Sequence, residues 1–179
     1  MEKIVLNPIG VIYSAYKRMK DIPCQGYRSN KTGEILVYKE YAEGLKDIDG
    51  FSPIQNASHF ESSEQSERHI IILYYFHKAK EYLIPIHRDQ TQRAKRASYL
   101  LRAKPFLEDK PKGIFAIRSP HRPNHIGFSV VKLIERKGNV LKVGDIDVLD
   151  GTPLLDIKPY VSKFDVRENI KDGWLEGKL

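Results

Sequence analysis

At 179 residues, with 41% hydrophobic and 30% charged side chains, the chain is sized for one main domain with a buried core. Thirty Lys and Arg against 23 Asp and Glu give a net charge of +7, which favours an anionic partner but falls far short of a polybasic tail. The single cysteine, Cys24, excludes an internal disulfide and a cysteine-rich zinc site; the longest apolar run, residues 70–76, is too short to span a bilayer, and residues 4–6 are too short for a signal peptide, so a soluble cytoplasmic protein is expected.

Residues 4–13, broken by Asn7-Pro8 and Gly10, predict an edge strand or a bent one, because proline cannot donate to a ladder. The proline-punctuated segment 17–28 is a loop. Residues 34–38 predict a strand and 41–45 at most one helical turn. Residues 51–68 combine serines with glutamines and glutamates, lack periodicity, and read as an exposed insertion. Residues 69–77 are apolar without alternation, which predicts a central strand covered on both faces. His77 and Lys78 mark the point where it reaches water.

Another strand is expected at 81–87, interrupted by Pro85. Residues 89–104 set Ala94, Ala97, Leu100 and Leu101 among Arg93, Lys95, Arg96 and Arg102, the pattern of a short basic amphipathic helix whose plain reading is a solvated surface. After a turn at 109–113, the apolar run 113–117 predicts a strand leading into Arg118-Ser119-Pro120-His121-Arg122-Pro123-Asn124-His125-Ile126-Gly127-Phe128-Ser129. The two prolines stiffen this loop. Its arginines are suited to an anionic ligand, or else they are merely solvated. A strand ending at Arg136 then turns through Lys137-Gly138-Asn139 into a second strand over 140–149, whose change of phase at Gly144 suggests a β-bulge or a barrel corner.

Asp150-Gly151-Thr152-Pro153 forms a tight turn and leads into Asp156, Lys158, Pro159 and Tyr160. The turn can offer backbone N–H groups to a ligand, or it can be structural, with Asp150 capping its own backbone and Asp156 paired to Lys158. The tail, 166–179, is weakly helical at best, with Trp174 its only large apolar anchor. Short strands separated by Gly/Pro turns argue for a mostly β fold, a compact antiparallel β-barrel with short helices. Gly-x-Gly spacing, a Walker motif and a His-x-x-x-His pair are all missing, so neither a doubly wound nucleotide fold nor a metal site is expected. Nothing in the surroundings of Cys24 marks it as a nucleophile.

Read in order, Pro23-x-Gln25, Glu40-Tyr41 with Gly44-Leu45-Lys46-Asp47-Ile48-Asp49-Gly50-Phe51-Ser52, Phe76-His77, the Arg118 loop and residues 150–160 resemble the TrmO (TsaA-like) family of tRNA methyltransferases. The resemblance spans most of residues 4–165, with 53–68 and 89–102 as additions and 166–179 as a C-terminal tail.

It implies a barrel that binds S-adenosylmethionine without a Rossmann sheet, works as a homodimer on the tRNA anticodon loop, and methylates N6 of threonylcarbamoyladenosine at position 37. Carried over by position, it implies a methyl-donor pocket of Pro23, Cys24, Gln25, His77, Lys78, Arg118, Phe128, Asp150, Gly151, Thr152 and Pro153. Arg122, Asn124, Asp156, Lys158 and Tyr160 fall to the substrate, Arg122 and Lys158 as cations and Asp156 or Tyr160 as a proton relay. Two positions depart from the family pattern: Cys24 stands where arginine is common, and His125 stands where proline is usual, which is expected to loosen the loop. The alternatives are a methyltransferase for another small substrate and a non-catalytic RNA-binding barrel.

Overall fold

A computed structural model describes residues 4–51, 67–79 and 99–178. Residues 53–66 of the expected insertion, the strand expected at 81–87 and residues 89–98 of the expected helix lie outside them. In chain order the strands are β1 (Gly10–Ser14), β2 (Gly33–Val37), β3 (His69–Tyr75), β4 (Arg102–Ala103), β5 (Lys112–Gly113), β6 (Ile126–Lys137), β7 (Val140–Gly144) and β8 (Thr152–Pro159). The chain forms two compact units, one of Met1–Tyr75 with Phe128–Val161 and the other of Phe76–Gly127 with Ser162–Leu179.

The first unit is a closed barrel in the order β1-β2-β7-β6-β3-β8. Alternation builds its core. Ile12, Ile35, Val37, Val131, Leu133, Leu141, Val143 and Leu154 point inward from their strands and are each at most 2% exposed. Burying a side chain of this kind stabilises by about 1.5–3 kcal/mol. In β3 the run Ile70, Ile71 and Ile72 is buried on both faces, as its lack of alternation predicts. Register shifts at Leu73/Tyr74 against β8 and at Leu133/Glu135 against β7 bend those strands and help the sheet to close.

Three expectations need correction here. Strand β1 is not an edge: it pairs with β2 on one side and with β8 on the other, and only Ile9 precedes it in the ladder. The strand expected over 140–149 stops at Gly144, because Asp145 takes a left-handed backbone (φ 56°) that no strand continues through. The true irregularity of that hairpin is the register shift in β6.

In the second unit β4 pairs with β5, so Arg102 and Ala103 are extended where the basic helix was expected to end. Residues 113–117 do not make the expected strand either. After β5 the chain winds into a 3-10 turn, Ile114–Ala116, with Ile114 buried. A short apolar run carries no period by which the two could be told apart. The tail contributes a four-residue helix, α1 (Ser162–Asp165), and a 3-10 turn, Gly173–Leu175.

Candidate functional site

In the first unit the chain returns from the long 3-10-punctuated loop through Gln25, Gly26 and Tyr27. A Cβ on Gly26 would lie 2.7 Å from the carbonyl oxygen of Asp145 and 3.7 Å from the carboxyl carbon of Asp147, so only glycine lets segment 23–26 approach so closely. Asp147 accepts a hydrogen bond from the Ser129 hydroxyl (2.6 Å), and the Tyr74 hydroxyl lies 3.1 Å from the same Ser129 oxygen. Ser129 has one proton and gives it to Asp147, so Tyr74 donates to Ser129. This buried chain fixes a half-buried carboxylate where Gly26, next in sequence to the Pro23–Gln25 segment, the start of β6 beyond Phe128 and the approach to Asp150 come together. Sequence reasoning missed it. The only signals were an aspartate between two buried residues, Ile146 and Val148, and a serine on the inward phase of β6.

The Asp150 turn is stitched to β1. One carboxylate oxygen accepts from the Ser14 N–H (3.0 Å) and the other pairs with the Lys17 ammonium (2.6 Å), so Asp150 does not cap its own backbone. The Lys17 hydrogen bond, reinforced by Ser14, holds the Asp150 carboxyl below its ordinary pKa against the opposing effect of burial. The N–H groups of Asp150 and Gly151 donate to the carbonyls of Tyr16 and Ile12, and the Thr152 hydroxyl donates to Leu149. Gly151, at φ +74°, makes the reversal, and no atom crowds the space a side chain would fill. Of the assigned donor residues in this unit, Thr152 is 2% exposed, while Cys24 and Gly151 are exposed and Phe128 keeps 49% of its surface.

Strand β8 separates this turn from the substrate candidates. From Thr152 to Lys158 the strand covers about 20 Å at about 3.3 Å per residue. Asp156 and Lys158 stand opposite Leu73 and Ile71 and form an ion pair of 2.7 Å, while the other Asp156 oxygen accepts from the Ile157 N–H. Tyr160 packs edge-on to His69, with ring centroids 6.1 Å apart. Near this end Ile157 and Pro159 line a cavity of about 170 Å³ with Gly44, Leu45, Lys46, Asp47 and Ile48. Arg136 holds that segment by donating to the carbonyl of Leu45 (2.8 Å).

The second unit carries the Arg118 loop. Arg122 donates through Nη1 to the carbonyls of Ile117 (3.1 Å) and Ser119 (3.5 Å), which makes it a brace for the loop's entry as well as a cation. Arg118 and Asn124 are exposed, Arg122 and His77 are half-buried, and Lys78 is exposed in the turn after Phe76.

His125 corrects the expectation that it loosens the loop. It is 3% exposed, its Nδ1–H donates to Pro120 (3.1 Å), and its carbonyl accepts from the Phe76 N–H (2.8 Å). Its φ of 50° is one that proline cannot reach, so the ring and its hydrogen bonds hold a conformation that proline would forbid. Burial lowers the pKa of His121 below the ordinary histidine range, His125 adds to that, and a hydrogen bond to the Ala79 backbone opposes it.

Among the described residues there is no group of three metal-ligating side chains and no helix long and apolar enough to cross a membrane.

A family model described as the tRNA-methyltransferase O N-terminal domain matches residues 64–166. A probable S-adenosyl-L-methionine-binding protein of Pyrococcus abyssi is 44% identical over 97% of this chain and 77% of its own. A tRNA (adenine(37)-N6)-methyltransferase of Rattus norvegicus is 32% identical over 98% of this chain and 35% of its own. The crystal structure of TrmO from Pseudomonas aeruginosa superposes with a TM-score of 0.66 at 28% identity, over 96% of this chain; the chain spans 62% of that protein's length.

Proposed function

The chain belongs to the family of the tRNA-methyltransferase O N-terminal domain, and from that membership we propose that it transfers a methyl group from S-adenosylmethionine to N6 of threonylcarbamoyladenosine at position 37 of tRNA. The observation that carries the reading is the meeting, in one unit, of segment 23–26, the start of β6 and the approach to Asp150 around the Asp147 carboxylate.

The donor carries an adenine, ribose hydroxyls, a sulfonium, an ammonium and a carboxylate. Each unit carries residues of the kinds such a molecule needs: in the first a half-exposed aromatic face at Phe128 and a half-buried carboxylate at Asp147, in the second an exposed guanidinium at Arg118. We assign to it Pro23, Cys24, Gln25, His77, Lys78, Arg118, Phe128, Asp150, Gly151, Thr152 and Pro153. When bound it supplies an activated methyl group on sulfur. Asp150 contributes by fixing the turn, since both of its oxygens are already engaged by Ser14 and Lys17.

Methyl transfer needs in-line approach, so these residues act mainly by positioning. The N–H between a purine and a carbamoyl group is acidified by both, which removes the need for a strong base. Arg118 and Arg122 stabilise the anion that develops. Asp156, Lys158 and Tyr160, about 20 Å along β8 from the Asp150 turn, serve the tRNA beyond the reacting nitrogen: Lys158 meets a phosphate, Asp156 holds Lys158 in place, and neither Asp156 nor Tyr160 is within reach to take the N6 proton, which passes to water. The net charge of +7 draws the anticodon loop in, with affinity that falls steeply as salt rises. A homodimer in the cytoplasm is the assembly and setting that this reading carries with it.

The test is transfer of labelled methyl to matched tRNAs with and without the threonylcarbamoyl group. Transfer to the modified tRNA alone is expected. Equal transfer to both would point to a different substrate, and transfer to neither, with tRNA still bound, would point to a non-catalytic RNA-binding barrel.

A further inference from the structure

The residues matched by the family model end at 166, yet residues 162–179 pack into the same compact unit as the Arg118 loop. The tail bonds to the turn that leads into that loop. The indole N–H of Trp174 donates to the carbonyl of Ala116 at 2.7 Å, across 58 positions of sequence. Ala116 closes the 3-10 turn Ile114–Ala116, and the carbonyls at the end of such a turn lack partners within it. The next carbonyl, that of Ile117, is taken by Arg122 at 3.1 Å. Two successive carbonyls immediately before Arg118 are thus held by side chains from elsewhere, one from within the loop and one from the tail.

The indole is itself held. Lys112 of β5 and Lys178 each place an ammonium over its ring, 5.9 and 5.7 Å from the centroid. Both ammonium groups reach the same Glu108 oxygen, at 3.7 and 2.6 Å. The Lys178 hydrogen bond is the largest influence on Glu108 and helps to bring its carboxyl down to about 2, so at neutral pH the carboxylate is charged and the latch is closed.

We infer that Trp174 is a positioning residue for Arg118, and that the tail beyond the family match is a strap that sets the backbone of the cationic loop for its ligand. The inference rests on the reading of that loop as part of a methyl-donor site. A purely structural anchor would make the same hydrogen bond but would leave ligand binding unchanged.

Trp174 is the only tryptophan in the chain, so its emission reports on this one place. The test compares the full chain with its Trp174→Phe variant, which keeps an aromatic ring beneath the two lysines and removes the N–H. Equilibrium dialysis measures retention of labelled S-adenosylmethionine, emission is followed during the same titration of the wild type, and hydrogen exchange is followed across residues 114–122. The expected result is a change in Trp174 emission that saturates with donor occupancy, faster exchange at 114–122 in the variant, and about fivefold weaker donor retention, the loss that corresponds to one hydrogen bond. Unaltered donor retention in the variant would overturn the inference, whether or not exchange rises, and so would emission that stays flat as the donor binds. If the wild type retains no donor, the functional reading itself fails; exchange then decides the strap alone, with faster exchange in the variant supporting it and unchanged exchange overturning it.

Discussion

The Asp150 turn and the Arg118 loop carry the two longest motifs in the chain, and they are built in opposite ways. In the turn the motif's own polar groups are engaged inside the barrel, with Asp150 on Ser14 and Lys17, Thr152 on Leu149, and the backbone of 150–151 on β1. In the loop the backbone is braced by Trp174 at Ala116, from the tail, and by Arg122 at Ile117, from within the loop, and the Arg118 side chain is exposed. A motif whose polar groups are held by neighbouring strands fixes a shape. One whose backbone is carried by other residues presents a side chain. Equally strong sequence signals can therefore mark architecture in one place and chemistry in another.

Arg118→Ala breaks the comparison most sharply. It should lower single-turnover methyl transfer by about 100-fold or more while moving stability by no more than about 1 kcal/mol, the range for an exposed side chain that gives up a surface contact. If activity survived, the loop would be architecture too.

Gly26→Ala should act in the opposite sense, on the scaffold first. Its Cβ would meet the Asp145 carbonyl at 2.7 Å, and relieving that clash should cost about 1–3 kcal/mol in denaturant unfolding.

Asp150→Asn keeps the shape and loses the charge, so about 1 kcal/mol is expected. The native carboxyl is held below its ordinary 3.8. Its stabilisation is therefore fully present above that value and is lost as pH falls through the depressed one. The variant should lack this acid-dependent loss in urea titrations at stepped pH.

The smallest effect should come from His121, whose folded pKa lies below 6.5 because of burial. Its contribution is complete above 6.5 and declines as pH drops through the folded value. The melting temperature should fall on acidification, and His121→Asn should flatten that slope.

The barrel was legible because its information is local. The short apolar runs of β2, β6 and β7, the unalternating run of β3 and the Lys137-Gly138-Asn139 turn each act over a few residues. Which strands close it was not legible, because the pairing of β1 with β8 depends on contacts between distant segments. The end of β7 hid behind apolar residues 146 and 148, which stay buried after the strand has stopped.

The same division holds at the site. Motif order pointed to Pro23–Gln25, the Arg118 loop and the Asp150 turn as candidates, and the pairing of Asp156 with Lys158 was one of the readings their spacing allowed. The relay from Tyr74 through Ser129 to Asp147 crosses strands, and the bond from Trp174 to Ala116 spans 58 positions of sequence. Neither leaves a mark within a short window. His125 was misjudged for a related reason: its residue type says nothing about the positive φ that its ring stabilises.

Titration calorimetry of the full chain with S-adenosylmethionine tests the account most directly. Saturable binding that disappears in Arg118→Ala is the predicted result. No binding to the native chain, or undiminished binding to the variant, would contradict it.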